Sequence, residues 1–156
     1  MPTAQFDRTI SVGADAATCW KILTDVGRVA GWVSIVGSVD ERQHLQSYTA
    51  VLEDRMGPFR MRADLDIQVR DVVEGRTLSL RAEGEDRQVA SRIAVDATLR
   101  VDDDSGGERG NEGSTVAVEG TYEVTGKVAT LGASMIRSKA RKLLDEFFAA
   151  AERELS

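Results

Sequence analysis

Glu119-Gly120-Thr121-Tyr122-Glu123-Val124-Thr125-Gly126-Lys127-Val128-Ala129-Thr130-Leu131-Gly132-Ala133-Ser134-Met135-Ile136 is where the chain changes its period. Up to Gly126, Val116, Val118, Tyr122 and Val124 alternate with Ala117, Glu119, Thr121 and Glu123, the two-residue period of a strand with one wet face. From Lys127 onward, Val128, Gly132, Met135, Ala140, Leu143, Phe147 and Ala151 form a drifting helical stripe, widened by Leu131, Ile136, Leu144 and Phe148. No proline interrupts it, so the spacing predicts one helix of up to roughly 28 residues, about 40 Å long. Leu131, Met135 and Phe148 are expected to face the sheet. Gly132 would sit inside the helix, where glycine costs about 1 kcal/mol relative to alanine. It either permits close helix–sheet contact or leaves room for a ligand.

Upstream, the alternation repeats. Phe6, Ile10 and Val12 share one face of a strand over residues 5–12, with Arg8 an odd member of that face. Asp15 and Asp25 mark the starts of two short helices, over roughly 15–24 and 25–32, because an Asp at that position accepts free backbone N–H groups. Tyr48, Ala50 and Leu52 alternate next. Gly57-Pro58 is a turn signal. Met61, Ala63, Leu65, Ile67 and Val69 follow, then Leu78, Leu80 and Ala82, then Ile93, Val95, Ala97, Leu99 and Val101. The order is thus one strand, two short helices, about six strands and one long helix. The acidic, glycine-rich stretch 102–113 reads as a hairpin loop; calcium binding would need an ordered ligand spacing that it lacks.

Composition narrows the classes. A length of 156 residues suits one domain, 1–156. A net charge of −6 argues against a nucleic-acid binder that works through a basic face. One cysteine, Cys19, permits no internal disulfide and reads as a small buried hydrophobe; one histidine, His44, permits no multi-histidine metal site and reads as exposed. No apolar run reaches the ~20 residues that cross a bilayer, and no signal-peptide pattern opens the chain, so a cytoplasmic protein is expected.

A one-sided antiparallel sheet must cover its apolar face, and the long helix is the only large apolar element available. A helix about 10 Å across does not fill the concavity of a wide, bent sheet, so an apolar hollow is expected beneath it. The expected lining is Trp32, Met56, Phe59, Met61, Leu65, Leu80, Val95, Leu99, Val118, Tyr122, Leu131, Met135 and Phe148. Trp32 follows the short helices and reads either as a core or lid residue or as a ligand contact. Met56, Phe59 and Met61 flank the Gly57-Pro58 turn and suit either an adaptable ligand surface or the end of a core. Arg8 and Tyr122 are the polar residues best placed to point inward, although the strand's exposed end is the expected place for Arg8. Arg137, Lys139, Arg141 and Lys142 form a basic run. With Arg141 spaced i,i+4 from Asp145 and Lys142 from Glu146, it reads as a solvated face of helix pairs.

This order of elements resembles the helix-grip fold of the START and plant pollen-allergen (SRPBCC) superfamily. That is an α+β fold: a curved antiparallel sheet wrapped around a long C-terminal helix, with two short helices after the first strand. Within it the chain resembles the CoxG family, the small accessory G subunits of aerobic carbon monoxide dehydrogenase. The likeness is carried by 126–148 with its opening glycine, Leu131-Gly132 step and Phe147-Phe148 pair, by Trp20-Lys-Ile-Leu-Thr-Asp25, by Gly57-Pro58 and by Glu119–Val124. Ser34-Ile35-Val36-Gly37 lacks the proline that the family often carries there. The resemblance implies a non-catalytic accessory protein that carries a quinone or lipid, or links a molybdenum-containing hydroxylase to the membrane. No metal or covalent cofactor is expected. Some members carry a membrane-anchoring C-terminal tail; this sequence stops at Ser156, so permanent anchoring is not expected, and any membrane contact of the cytoplasmic protein would be peripheral, at the inner face. The alternatives are a polyketide cyclase/dehydratase-like enzyme using Arg8, Tyr122 or His44, and a pure adaptor with a filled core.

Overall fold

The computed structural model describes residues 3–103 and 113–156. Its seven strands are β1 (Thr3–Val12), β2 (Val36–Gln43), β3 (Ser47–Met56), β4 (Phe59–Val73), β5 (Thr77–Asp86), β6 (Ser91–Asp103) and β7 (Ser114–Gly126). They form one curved antiparallel sheet in the order β1-β7-β6-β5-β4-β3-β2. Helices α1 (Ala16–Leu23) and α2 (Val26–Ala30) follow β1, and α3 (Ala133–Glu154) closes the chain. This is the helix-grip arrangement expected from the sequence. The acidic stretch 104–112 lies outside the described residues, and the hairpin and calcium readings lie there with it.

The local chemistry explains most boundaries. The Asp15 carboxylate accepts the Thr18 backbone N–H at 2.8 Å and caps α1. α1 buries Cys19, Trp20 and Leu23 on one side. β7 stops at Gly126, whose φ of 91° and ψ of −155° belong to a region that essentially only glycine occupies.

Three expectations are corrected. The helix does not run unbroken from Lys127. A 3-10 turn spans Lys127–Leu131, and Gly132, at φ 95° and ψ 154°, separates it from α3. Gly132 is therefore a joint and not a helix-interior residue. This break rotates the stripe that follows: Ile136 is 3% exposed, whereas Met135 is 46% exposed and does not face the sheet. Finally, β2 is a strand at Val36–Gln43 that the apolar pattern did not announce. It is an edge strand with two register shifts against β3, exposed along most of its length.

Candidate functional site

On β5, β6 and β7 the inner faces are buried towards both ends and half-buried in the middle, and β4 is buried at its start only. On β4, Met61 and Ala63 are buried while Leu65, Ile67 and Val69 are half-buried. On β7, Val116, Tyr122 and Val124 are buried while Val118 and Gly120 are half-buried. Leu80 and Ala82 on β5, and Val95, Ala97 and Leu99 on β6, follow the same rule. β5 and β6 are central strands, so their inner side chains do not meet water at a sheet edge.

Core packing is accordingly divided. One cluster joins α1 and the C-terminal half of α3 to the sheet through Val12, Trp20, Leu78, Val101, Val116 and Phe148. The other joins the 3-10 turn and the start of α3 to the opposite end through Leu52, Met61, Tyr122, Val128 and Ile136. Ile67, Ala82 and Ala97 belong to neither, and the two alanines supply little side-chain volume to the space between. Half-buried aliphatic residues thus occupy mid-sheet, between the two clusters.

The expected lining residues divide along the same line. Trp32, Leu80, Leu99, Val118 and Phe148 gather at the first cluster; Met56, Phe59, Met61, Leu65, Val95, Tyr122 and Leu131 gather at the second. Met61 and Phe148, 1% and 2% exposed, are packed core, whereas Leu65, Leu80, Val95, Leu99 and Val118 are half-buried and pack against the rims of the two clusters. Trp32 stands against Phe147, ring centroids 5.5 Å apart, at the seam between the short helices and α3. Leu131 packs on Gly57: a Cβ there would lie 2.9 Å from Leu131 Cδ2. Ile67, Ala82, Ala97 and Phe6 were not among the expected residues, although the alternation put each of them on an inner face.

Arg8 is not at an exposed strand end. Its Nη1 meets Asp145 Oδ1 on α3 at 2.7 Å, and its guanidinium lies 5.6 Å from the Phe148 ring centroid. The i,i+4 pairs expected within α3 are replaced by clasps to other elements. Asp145 holds Arg8. Glu146 accepts the Ser34 N–H and hydroxyl at 2.9 and 2.8 Å, Lys139 meets Asp54 of β3 at 2.6 Å, and Glu154 meets Arg28 of α2 at 3.2 Å. The Glu146 carboxyl is held below the usual carboxylate range, chiefly by the Ser34 backbone N–H, then by its hydroxyl, with Lys142 and Lys139 adding to this.

His44 is exposed and pairs with Glu41 at 2.7 Å. Both line an open cleft of about 900 Å³ between the short helices, β2–β3 and the Glu74-Gly75 turn. Cys19 is fully buried, and its burial pushes the thiol pKa up. Among the described residues there is no cluster of His, Cys, Asp and Glu side chains able to hold a metal ion. No helix among them is long and apolar enough to cross a membrane.

Residues 9–156 match the family model for the carbon monoxide dehydrogenase G subunit, CoxG. The chain belongs to the CoxG family. No curated protein matches it by sequence. Among solved structures, a conserved protein from Geobacillus kaustophilus superposes with a TM-score of 0.80 at 19% identity, covering 97% of this chain and 95% of that one. A START superfamily protein from Mycobacterium smegmatis gives 0.66 at 13% identity, covering 97% and 96%. The Zhui aromatase/cyclase from Streptomyces sp. R1128 gives 0.63 at 12% identity, covering 98% and 91%. At these identities the likeness establishes the START-like fold, which serves both binders and enzymes.

Proposed function

We propose that this CoxG-family protein is a non-catalytic carrier of a quinone or lipid that serves a molybdenum-containing hydroxylase of the carbon monoxide dehydrogenase type. The observation that carries the reading is the half-buried aliphatic floor between two separate core clusters. Apolar area left facing water forgoes about 25 cal/mol per Å², which an apolar guest would recover. The family match supports the hydroxylase as partner. Contact with the membrane is supported by one tip of the molecule. There Met135 is exposed beside Gly57-Pro58, and Arg55 and Arg60 sit directly opposite each other with no carboxylate partner among the described residues. Like charges placed so cost stability unless an anion meets them.

The test is native purification from the source organism followed by solvent extraction. One apolar compound per chain is expected; repeated empty extracts end the proposal. A cyclase-like enzyme is the second reading, favoured by the Glu41–His44 pair on its open cleft. Turnover of a polyketide-type substrate that His44→Ala abolishes would establish it; binding without turnover leaves the carrier.

A further inference from the structure

The inner face of β1 carries one charged group, half-buried Arg8, and its setting is specific. Arg8 lies on the inner face between Phe6 and Ile10, across from Val118 of β7. Asp145 takes one guanidinium nitrogen, and the remaining N–H groups have no protein acceptor among the described residues. The Arg8 side chain is 29% exposed, so water reaches it. Beside it is a flat aromatic shelf. The Phe6 ring lies over Gly120, where a Cβ would stand 2.8 Å from Phe6 Cζ. Phe6 also stacks on Tyr122, with centroids 6.5 Å apart and planes 24° from parallel. The Phe148 ring of α3 lies 5.6 Å from the guanidinium, and the neighbouring inner-face residues Ile10 and Val118 are aliphatic.

From this juxtaposition we infer that Arg8 and the Phe6–Tyr122 shelf form a head-group subsite, which selects apolar ligands whose planar head bears a hydrogen-bond acceptor. This rests on the carrier reading and adds to it a ligand class and a selecting residue. A planar head is preferred because a face-on ring covers the Phe6 shelf at little entropic cost. An acceptor oxygen is preferred because the free guanidinium N–H groups would otherwise be left facing a hydrocarbon, and a bound oxygen satisfies them by a charge-assisted hydrogen bond. A saturated chain gains neither. Neutral carbonyl and carboxylate heads share this chemistry, and the choice between them depends on how far Asp145 already neutralises Arg8.

The test uses delipidated full-length protein and displacement of N-phenyl-1-naphthylamine by three probes: 2-methylnaphthalene, 2-methyl-1,4-naphthoquinone and 2-naphthoate. The wild type is expected to prefer at least one oxygenated probe over the hydrocarbon by about 10- to 100-fold, the span of one charge-assisted hydrogen bond. Arg8→Met should abolish that preference and leave hydrocarbon affinity unchanged; Arg8→Lys should keep part of it. Asp145→Asn, which keeps the shape of the pair, should tighten 2-naphthoate more than the quinone. Phe6→Leu should weaken all three probes alike. Equal affinity of the wild type for hydrocarbon and oxygenated probes overturns the head-group subsite alone. So does a preference that survives Arg8→Met, or a loss shared equally by every probe in that variant. No displacement by any probe overturns the carrier reading as well.

Discussion

Gly126 and Gly132 occupy nearly the same backbone region for different reasons, and substitution separates them. At Gly132 a Cβ would meet open space, so Gly132→Ala is expected to cost only the backbone strain, about 1–3 kcal/mol. At Gly126 a Cβ would stand 1.9 Å from the Ala90 carbonyl oxygen, so Gly126→Ala should cost clearly more. Urea unfolding of the two variants measures the difference; equal losses would contradict the clash. Phe148, wedged between Phe147 and Arg8 at 2% exposure, is expected to cost about 3–5 kcal/mol when truncated to alanine. Arg8 itself was legible in part. Its alternation with Phe6 and Ile10 put it on the inner face, and only its charge argued for an exposed end. What the sequence did not carry was the partner: Asp145 is remote in the chain, and it offsets the charge with an exposed carboxylate on a different element.

Helix α3 is fastened around its rim by polar clasps, and one of them is tied to acidity. Because the folded Glu146 carboxyl has a lowered pKa, its clasp to Ser34 is complete above the ordinary glutamate value of about 4.3 and is lost as the pH falls through the lower folded value. The group is half-buried at the rim and screened by solvent, so its share is about 0.5–1 kcal/mol. Glu146→Gln should flatten the acid limb of a Tm-against-pH curve below about pH 4.3 and leave the neutral region little changed apart from that small offset; a curve parallel to wild type would remove the clasp from the account. Met135→Lys, on the exposed side, should alter stability by less than about 0.5 kcal/mol, whereas Ile136→Lys should unfold the start of α3. The strands with clean alternation were legible because each has one dry face. β2 was not: Val36-Gly-Ser-Val-Asp-Glu-Arg-Gln43 holds two apolar residues, since an edge strand with little to bury needs no more. The joint at Gly132 was hidden because the apolar stripe continues on both sides of it, and a single glycine does not reveal its φ.

On the proposed carrier reading, a guest held between the two clusters makes stability depend on what fills the middle. A guest at 100 times its dissociation constant adds about 2.7 kcal/mol by mass action, so delipidated protein should melt lower than protein purified with its ligand, and added ligand should raise Tm progressively. Ala97→Phe, which projects a ring into the same space, should block probe binding while keeping the fold; a variant that still binds with wild-type affinity would place the guest elsewhere. The architecture as a whole was readable from the order of periods, but the division of its core was not, because it depends on which small residues, Ala82 and Ala97, meet across neighbouring strands. The sheet order carries a last consequence. Thr3 pairs with Glu123 and Val12 with Ser114, so β1 meets its hydrogen-bonding partner only after the whole of the intervening chain, residues 13–113, has been made. Until then Phe6 and Ile10 wait unpaired, a slow, non-local closure that leaves a greasy nascent segment open to chaperones and proteases. A translationally arrested chain ending before Ser114 should be clipped within β1, and one extended past Gly126 should resist.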